Sequence, residues 1–409
     1  MKYNRHIVNV IKDYSKDFPA VLLTGLRQVG KSYIFNNEFK DIDYYTLDDL
    51  IFLNNIRNDT LGTLEGIGTP IVLDEIQKAQ DIFSTLKLII DKNRKNGMYY
   101  LTGSQKFLLM QGISESLAGR IGIINIMGLS NREIDNDEFN DPFIPTQNYF
   151  NKRKSKKEYK ISEIWNRIFK GSFPEVYAND SINLSHYFSS FVQSYVERDV
   201  RILSQIDDYK SFVKLIQLLA ARIGQILNVA SISRDIGIDV RTINKYISIL
   251  EASNVIYFIK SFSTNLNTRV IKASKLYFTD TGLAAYLLKW SSQETLENGH
   301  MAGNFYENFV INEIIKSYLN KGIEPELYYY RDVNDREIDL IICETIEGKS
   351  ILHPIEIKHT SSPNIKDIKN FKIFELMSNA NMGEGGIICN YDKILKLDDR
   401  NFIIPLTYI

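Results

Sequence analysis

The stretch Ala20-Val-Leu-Leu-Thr-Gly25-Leu-Arg-Gln-Val-Gly30-Lys-Ser-Tyr33 decides the fold of the N-terminal part of the chain. Ala20 to Leu23 form a short apolar run, typical of a buried parallel strand, and Lys31 and Ser32 begin a helix. Between strand and helix, Gly25 to Ser32 match the pattern G-x-x-x-x-G-K-[ST] at every fixed position. A glycine turn followed by a chance lysine is the alternative, but strand, loop and helix in succession favour a phosphate-binding loop.

The residue types of this loop explain how it would hold a nucleotide. Backbone N–H groups of the loop converge on one point, and the N-terminus of the following helix adds partial positive charge there. Lys31 would reach the β- and γ-phosphates of ATP, and the Ser32 hydroxyl would ligate Mg²⁺. We therefore predict that ATP contacts the loop residues Gly25, Arg27, Gln28, Val29, Gly30, Lys31, Ser32 and Tyr33.

A second apolar run, Pro70 to Leu73, ends in the acidic pair Asp74-Glu75. A buried strand of this kind delivers one carboxylate to Mg²⁺ at its C-terminal end, and a second carboxylate can orient the attacking water. We assign Asp74 to Mg²⁺ and Glu75 to the general base of ATP hydrolysis. An acidic cap of the next helix is the alternative, and the upstream phosphate loop favours the catalytic assignment.

Apolar runs alternate with helical patterns throughout residues 1–135. This alternation predicts a parallel sheet with helices on both faces. Strands are predicted at 20–23, 43–47, 70–73, 98–101 and 121–127. Helices are predicted at 5–17, 50–66, 82–94 and 106–119, together with the helix that starts at Lys31.

Three side chains near the ends of these strands are further candidates for the nucleotide site. Thr102 and Ser104 follow the fourth strand, at the edge where open α/β sheets bind ligands. Either hydroxyl would lie beside the γ-phosphate, but a plain Gly-Ser turn explains them equally well. Arg120 would reach a phosphate of its own site or, as an arginine finger in a homo-oligomer, of a neighbour's site. A surface salt bridge explains Arg120 equally well.

Composition limits the remaining function classes. The chain has 409 residues and a formal net charge of −1, which allows two or three domains and confines any nucleic-acid surface to a local patch. Cys343 and Cys389 are too few and too far apart for a disulfide framework or a zinc site. No apolar run is long enough to span a membrane, and the N-terminus does not resemble a signal peptide. We therefore expect a soluble cytoplasmic protein without a membrane partner.

Four segments together resemble a large prokaryotic family of AAA-like ATPases whose C-terminal half is a domain of unknown function. They are Gly25 to Ser32, Leu73-Asp-Glu-Ile-Gln77, Leu101-Thr-Gly-Ser104 and Leu117-Ala-Gly-Arg120. The resemblance covers nearly the whole chain and implies an α/β multidomain fold, with a P-loop ATPase domain at residues 1–135. Leu26 stands where the family usually has proline, which should alter only the stiffness of the loop.

Residues 136–160 change composition abruptly, from acidic residues to two prolines and then the basic run Lys152 to Lys157. We predict a linker or exposed insertion here, because such runs more often form a solvated tether than a nucleic-acid contact. Residues 161–210 are predicted to be helical. Glu197, Arg198, Asp199 and Arg201 are predicted to form an ion-pair network at a packed or inter-subunit surface.

Residues 211–300 have the pattern of a winged helix-turn-helix. Gly237 marks the turn, Asp239 caps the third helix, and the strand from Val255 to Phe262 resembles a wing. The DNA-reading face would consist of Arg241, Thr242, Asn244 and Lys245. A lid or docking module with an ordinary solvated face is the alternative, and nearby acidic residues favour it over base readout.

Residues 301–409 carry Asp339, then Glu356 and Lys358 on one face of a later strand, with Glu307 on an upstream helix. This order resembles the PD-(D/E)xK nucleases. The resemblance implies an α/β nuclease-like domain in which Asp339, Glu356 and Glu307 ligate Mg²⁺ and Lys358 orients or deprotonates the attacking water. A nuclease fold that no longer cuts is the alternative.

Together these patterns predict a Mg²⁺-dependent protein that binds and hydrolyses ATP. Hydrolysis would be coupled to a C-terminal nuclease-like module that acts on nucleic acid, and DNA is the favoured substrate. One alternative is an ATP-driven switch that binds DNA or a protein partner without cutting. Another is a regulator whose winged helix reads an operator.

Overall fold

The computed structural model describes residues 3–79, 81–104, 109–110, 112–113, 116–154, 157–195, 209–263, 274–376 and 381–409. Within these ranges, no helix combines the length and apolar character that crossing a membrane requires. Two sheets organise the described chain, a five-stranded sheet in the N-terminal part and a nine-stranded sheet in the remainder.

The N-terminal sheet is parallel throughout. Its strands are β1 (Ala20–Gly25), β2 (Asp43–Thr46), β3 (Ile71–Asp74), β4 (Tyr99–Gly103) and β5 (Ile121–Ile126). The order across the sheet is β2-β3-β4-β1-β5, so β1 has a neighbour on each side. Val21 and Leu23 pack into one apolar core, while Ala20 and Leu22 pack into another on the opposite face. This two-sided burial explains the continuous apolar run in the sequence.

Helices cover both faces of this sheet, as the alternation predicts. They are α1 (Ile7–Asp17), α2 (Lys31–Glu38), α3 (Leu50–Asn58), α4 (Thr60–Ile67) and α5 (Ile82–Asn93). The single helix predicted over 50–66 is two helices, because the Asp59 side chain accepts a hydrogen bond from the Gly62 N–H (2.8 Å) and starts a new helix. The helix predicted over 106–119 lies partly outside the described residues.

Residues 136–154 are not the exposed linker that their composition predicts. Helix α6 (Asn131–Ile134) precedes this region and helix α7 (Gln147–Arg153) lies within it, and Phe143, Tyr149 and Phe150 are buried. The Phe150 ring packs edge-on against Phe402 with 5.2 Å between ring centroids. The Phe143 N–H donates to the Ser317 hydroxyl at 2.9 Å. Aromatic anchors among the charged residues therefore fasten this segment to the C-terminal domain.

The helical region that follows consists of α8 (Ile161–Lys170), α9 (Pro174–Ala178) and α10 (Leu184–Tyr195). Between α8 and α9, the backbone N–H and the hydroxyl of Ser172 donate to the Asp280 carboxylate at 2.6 and 2.9 Å. This contact joins the helical region to the middle of the chain. The ion-pair network predicted for residues 197–201 lies outside the described residues.

The middle region contains the predicted helix–turn–helix order and two antiparallel strands. Its elements are α11 (Tyr209–Ala220), α12 (Val229–Ile236), α13 (Val240–Ala252), β6 (Ile256–Ser261), β7 (Lys275–Phe278), α14 (Thr281–Leu287) and α15 (Gln293–Glu297). Gly237 ends α12 with φ = +81°, and Asp239 caps α13 by accepting from the Thr242 N–H at 2.9 Å. Asp280 caps α14 by accepting from the Leu283 N–H at 2.8 Å. The predicted Asp239 cap is confirmed.

The C-terminal region begins with the long helix α16 (Ala302–Leu319) and continues mainly as strands. The strands are β8 (Leu327–Arg331), β9 (Glu337–Ile346), β10 (Lys349–Ile357), β11 (Asn381–Met382), β12 (Gly385–Cys389), β13 (Leu395–Lys396) and β14 (Asn401–Pro405). Short 3₁₀ helices span Ile76–Lys78, Ile365–Leu376 and Leu406–Tyr408.

One sheet crosses the domain boundary that the sequence predicts at residue 300. Its order is β13-β14-β12-β10-β9-β8-β6-β7, with β11 beside β10. The junction is a parallel pairing of β6 with β8, in which Lys260 lies opposite Tyr328 and Ser261 opposite Tyr329. The antiparallel pair of β6 and β7 is therefore an extension of the C-terminal sheet.

Candidate functional site

The phosphate loop joins β1 to α2 and needs its two fixed glycines for different reasons. A Cβ atom at Gly25 would lie 2.2 Å from the carbonyl oxygen of Ile126 on the neighbouring strand β5. Gly30 has φ = +93°, a left-handed conformation that other residues rarely adopt. The glycines of the motif are thus required by close backbone approach at one end of the loop and by backbone conformation at the other.

Lys31 is buried at the start of α2, where it braces the loop from within. Its Nζ donates hydrogen bonds to the carbonyl oxygens of Gly25 (3.0 Å) and Leu26 (2.8 Å). From the other side, the Arg5 guanidinium donates to the carbonyl oxygen of Val29 at 2.7 Å. Carbonyl groups along the loop are therefore held by cationic side chains, which preorganises the loop.

Asp74 lies at the end of β3, next to the loop, where the sequence pattern predicts a Mg²⁺ ligand. The Ser32 hydroxyl donates to its Oδ2 at 2.9 Å. The hydroxyls of Tyr44 and Thr102 also donate to this carboxylate. Burial, and next the hydrogen bond to Asp74, raise the pKa of Tyr44, so Tyr44 is a neutral donor. Because Ser32 and Asp74 bring oxygen donors together, these residues fit a Mg²⁺ ion.

Glu75 follows Asp74 with φ = +56°, in the left-handed region. Its N–H lies 3.4 Å from the Thr102 hydroxyl oxygen, and its carboxylate accepts a hydrogen bond from the Gln77 side-chain amide. Non-glycine residues in this conformation are uncommon and cluster at functional positions. Gln77 belongs to the motif that starts at Leu73, but no role was predicted for it.

The structure separates the two hydroxyl candidates of β4. Thr102 contacts Asp74 and Glu75, as described above. Ser104 is 2% exposed, and its hydroxyl has no hydrogen-bond partner among the described residues. Buried polar groups without a partner are rare, and this one lies on the wall of a cavity. Ser104 is therefore the better candidate for a γ-phosphate contact.

The cavity has a volume of about 720 Å³, within the range of about 300–1,000 Å³ that is usual for small-molecule sites. On the loop side it is lined by Arg27, Gln28, Gly30, Lys31, Ser32, Tyr33, Glu75 and Ser104. Arg5, which bonds the loop, also lines this side, and Tyr3, Leu129 and the helices α9 and α10 complete the lining. Among the predicted loop contacts, Gly25 and Val29 do not line this cavity and instead shape the loop.

Arg5 is a buried residue of this site that sequence reasoning missed. Besides its bond to Val29, it donates to the Met127 carbonyl oxygen at 2.9 Å and to the Glu133 carboxylate at 3.0 Å. Burial alone would raise the pKa of Glu133, but Arg5 and His6 together hold it below its ordinary value. No motif surrounds Arg5, so only its position in the fold reveals that it supports the phosphate loop.

Arg120 does not reach the nucleotide site of its own chain. It precedes β5, and its carbonyl oxygen accepts from the Ala20 N–H at the start of β1. The loop follows the other end of β1, roughly 16 Å along the strand. The Arg120 guanidinium pairs with the Asp91 carboxylate at 2.6 and 3.0 Å. The geometry therefore agrees with a surface salt bridge and places Arg120 at the sheet edge opposite the cavity.

Helix α16 links the cavity wall to the C-terminal region through buried contacts. Leu129 lines the cavity, and its carbonyl oxygen accepts from Lys316 Nζ at 2.9 Å. The Asn131 N–H donates to Glu313 at 2.6 Å, and Lys316 pairs with Glu313 at 2.7 Å. Glu307 lies on the same helix. One rigid element thus contacts both regions that the sequence marks as sites.

Asp339 and Glu356 are neighbours in the C-terminal sheet, as the strand pattern predicts. Lys358 Nζ lies 3.3 Å from Asp339 Oδ2 and 2.9 Å from Glu356 Oε2. Asp339 also accepts from the Ile357 N–H at 2.9 Å. Burial, and next the nearby Asp339, raise the pKa of Glu356 to about 9, although Lys358 opposes the shift. Lys358 therefore serves as the counter-ion of Asp339 and also contacts the Glu356 carboxyl group.

Glu307 points to the middle region instead of to this pair. Its Oε1 accepts from the Tyr277 hydroxyl at 2.6 Å and from Lys275 Nζ at 3.2 Å. Lys275 is only 3% exposed and also pairs with Glu337 at 2.6 Å. Burial raises the pKa of Glu307 to about 7, while Lys275 lowers it. Lys275 had no predicted role, because it lies on β7 and reaches the cluster only through the shared sheet.

The carboxylates of this cluster do not fit a metal held by three side chains. Among the described residues, no group of three or more His, Cys, Asp or Glu side chains is arranged to hold a metal ion. Asp339 and Glu356 share Lys358, and Glu307 is bound to Lys275. The ligand set expected from Glu307, Asp339 and Glu356 is therefore not assembled in this arrangement.

Comparison with known proteins assigns the N-terminal domain. Residues 17–135 match the AAA domain family. The N-terminal part of the chain is thus similar to AAA-type P-loop ATPase domains. Two domains of unknown function match the remainder, DUF8612 over residues 161–294 and DUF4143 over residues 302–409.

Curated relatives and solved structures are also similar to this chain. Two mycobacterial proteins, uncharacterized protein Rv2008c of Mycobacterium tuberculosis and Mb2031c of Mycobacterium bovis, are each 26% identical over 349 residues, covering 85% of this chain and 72% of theirs. A Walker-type ATPase of Pyrococcus abyssi is 14% identical with a TM-score of 0.43, covering 69% of this chain and 94% of its own. A RuvB variant of Thermotoga maritima is 15% identical with a TM-score of 0.29, covering 61% and 85%.

Proposed function

We propose that this chain binds Mg²⁺-ATP at the loop Gly25–Ser32, hydrolyses it and uses the cycle to control its C-terminal domain. The observation that carries the proposal is the position of Asp74. Asp74 lies at the end of a buried strand, beside a cavity of about 720 Å³. Its carboxylate accepts hydrogen bonds from the hydroxyls of Ser32 and Thr102. The AAA domain match supports the same assignment.

Each residue of the site has a separate role in this proposal. Lys31 neutralises the β- and γ-phosphates, and Ser104 donates to the γ-phosphate. Ser32 and Asp74 hold Mg²⁺, which when bound neutralises charge on the phosphate oxygens. Glu75 accepts a proton from the attacking water, with its carboxylate oriented by Gln77.

Control of the C-terminal domain would run through α16. This helix binds the cavity wall through Lys316 and Glu313, and it carries Glu307, which binds Lys275 and Tyr277 of β7. A shift of the wall on nucleotide binding would therefore displace a buried helix that also touches the second site. Packed elements of this kind transmit small shifts because they are stiff.

Steady-state phosphate release tests the ATPase assignment. We expect Lys31→Ala to reduce turnover by on the order of 10²–10³-fold, since it removes the main cation of the loop. Arg94→Ala, at the end of α5, is a matched control that removes a cation remote from the loop and should leave turnover unchanged. Turnover that survives Lys31→Ala would contradict the assignment.

For the C-terminal region, we propose a nuclease-like domain at residues 301–409 that acts on nucleic acid, with Asp339, Glu356, Glu307 and Lys358 as its candidate site. A non-cutting switch is the second candidate. The ion pairs of Lys358 and Lys275 with these carboxyl groups favour the switch. A metal ion would have to displace Lys358 or Lys275 before it could bind.

A cleavage survey separates these two functions. Branched, single-stranded and duplex DNA would be incubated with Mg²⁺ or Mn²⁺, with and without ATP. Cleavage that disappears in Asp339→Ala supports the nuclease. Nucleic-acid binding without cleavage on every substrate supports the switch.

A DNA-binding regulator is the third candidate, based on a proposed winged-helix domain at residues 211–300. Arg241 and Asn244 are exposed on α13, as a DNA-reading face requires. The Thr242 hydroxyl, in contrast, donates to Asp239 at 2.6 Å. Footprinting on genomic fragments tests this candidate, and binding without sequence preference would exclude an operator-reading role.

A further inference from the structure

We propose that helices α9 and α10 form the nucleoside-binding wall of the nucleotide cavity, where they contact the base and ribose. The inference rests on the proposed function, since it assumes that the phosphates bind at the loop Gly25–Ser32. It gives a role to part of a region that matches a domain of unknown function.

Helix α10 contributes one of its faces to this wall. Tyr187, Ser190, Phe191 and Ser194 all line the cavity, and their spacing of three, four and seven residues places them on one side of a helix. Ser189, between them in sequence, does not line it. Helix α10 therefore presents two aromatic rings and two small hydroxyl groups towards the phosphate loop.

One hydroxyl on this wall has no partner in the described chain. The Tyr187 hydroxyl is shielded from solvent and makes no hydrogen bond to any described residue. A shielded hydroxyl without a hydrogen-bond partner destabilises the protein. A ligand that supplies a hydrogen-bonding group at this point removes that penalty, and ribose hydroxyls and base nitrogens are such groups.

The distribution of charge indicates which part of the cavity binds the phosphates and which part binds the nucleoside. Lys31, Arg5 and Arg27 lie around the loop side of the cavity. The described lining residues of α9 and α10 include no lysine, arginine or histidine, and their one charged member is Glu175. A carboxylate repels phosphate, whereas neutral hydroxyls and aromatic rings suit a nucleoside. The cavity thus matches a ligand that is anionic at one end and neutral at the other.

The wall is held rigidly, which favours binding because little order has to be gained. Phe191 packs on Phe173 with 5.0 Å between ring centroids. Phe173 directly follows Ser172, whose N–H and hydroxyl are bound by the buried Asp280. Base and ribose would therefore meet a surface anchored to the middle region of the chain.

Calorimetric titration with Mg²⁺-ATP and with Mg²⁺-tripolyphosphate tests the inference, because tripolyphosphate has the phosphates without the nucleoside. For the wild type we expect ATP to bind at least about tenfold more tightly. Ser190→Trp, which fills the nucleoside end, should weaken ATP binding by about tenfold or more and change tripolyphosphate binding by less than about twofold. The matched control Ser189→Trp should change neither affinity. Tyr187→Phe, which keeps the ring, should weaken ATP binding alone.

Three outcomes would overturn the inference. Equal affinity of the wild type for both ligands would show that no nucleoside contact exists. A Ser190→Trp variant that binds ATP like the Ser189→Trp control would show that the contact lies elsewhere. If neither ligand binds the wild type, the proposed function fails and the inference fails with it, whereas equal binding of both ligands overturns the inference alone.

Discussion

The nucleotide site and the C-terminal carboxylate cluster both contain lysine and acidic side chains, but these side chains have different partners. The cluster consists of Glu307, Asp339 and Glu356 with Lys275 and Lys358. At the nucleotide site, Lys31 donates to backbone carbonyl groups and Asp74 accepts from hydroxyl groups. At the carboxylate cluster, Lys358 pairs with Asp339 and Glu356 within 3.3 Å. In this second arrangement, lysine and carboxyl groups meet directly.

The difference shows what a sequence motif leaves open. The nucleotide site combines a cavity of about 720 Å³ with a buried Ser104 hydroxyl that has no partner in the described chain. A phosphate group that enters this cavity can therefore accept a hydrogen bond from the Ser104 hydroxyl. At the C-terminal cluster, Lys358 and Lys275 already neutralise the carboxylates. A metal ion there would compete with cations that the chain itself supplies.

Glu75→Gln should have the largest effect on the nucleotide side of the comparison. Removing a general base reduces a rate by about 10²–10⁴-fold, while the isosteric amide leaves the cavity unchanged. Phosphate release and nucleotide affinity, measured on the same preparation, check this expectation. Wild-type turnover in Glu75→Gln would show that another group activates the water.

Lys275→Met should be the most disruptive change at the carboxylate cluster. It leaves the buried Glu307 without its cation, which reduces the free energy of unfolding by about 3–5 kcal/mol at pH 8. The loss should shrink as the pH is lowered from 8 to 6, because Glu307 without Lys275 has a pKa above its wild-type value of about 7 and takes up a proton. Urea unfolding at the two pH values checks this expectation.

The double variant Lys275→Met/Glu307→Gln is the control, because it removes both charges and should recover most of the lost stability. Mn²⁺ should stabilise Lys275→Met more than it stabilises the wild type, since the cluster then lacks its built-in cation. Equal stabilisation of both proteins would mean that Lys275 does not compete with metal.

The pH dependence of stability sharpens the comparison further. The pKa of Glu356 is raised from an ordinary value of 4.5 to about 9, so the folded protein keeps this proton to a higher pH than the unfolded chain. Its stabilising contribution is complete below pH 4.5 and is lost as the pH rises towards 9. We expect the urea midpoint to fall less between pH 5 and pH 9 in Glu356→Gln than in the wild type. Parallel curves would contradict this account.

Arg120→Ala should have the smallest effect, because Arg120 pairs with Asp91 at the sheet edge opposite the cavity. We expect thermal stability to change little, and turnover to stay near that of the wild type at low protein concentration. An arginine finger acting between subunits would appear as partial recovery of turnover when Lys31→Ala and Arg120→Ala proteins are mixed. Recovery on mixing would establish that role.

The nucleotide side could be predicted from sequence because its chemistry lies in short segments. The loop, the Asp74-Glu75 pair and the strand ends are each local patterns, and a parallel sheet brings such strand ends to one edge. The choice between Thr102 and Ser104 could not be made in this way. It depends on which hydroxyl reaches Asp74, and both follow the same strand.

The remaining features depend on contacts between distant segments. Arg5, paired with Glu133, supports the phosphate loop through its bond to Val29, although no motif marks Arg5 or Glu133. Lys275 reaches Glu307 because α16 packs against β7, where the Asn308 side chain bonds the Phe278 backbone, and strand alternation cannot predict this packing. Phe143 and Phe150 bury themselves in a stretch whose charges and prolines indicate a linker. Sequence patterns report which face of an element is apolar, but not which other element covers it.

Hydrogen exchange in the Glu75→Gln protein, with and without Mg²⁺-ATP, tests most directly whether the nucleotide site controls the C-terminal domain. The account predicts that ATP changes exchange at the loop and also in α16 (Ala302–Leu319) and β9 (Glu337–Ile346). In the further variant Glu313→Gln/Lys316→Met, the change at the loop should persist and the change in β9 should disappear. Exchange that changes only around the loop in the Glu75→Gln protein would contradict the account.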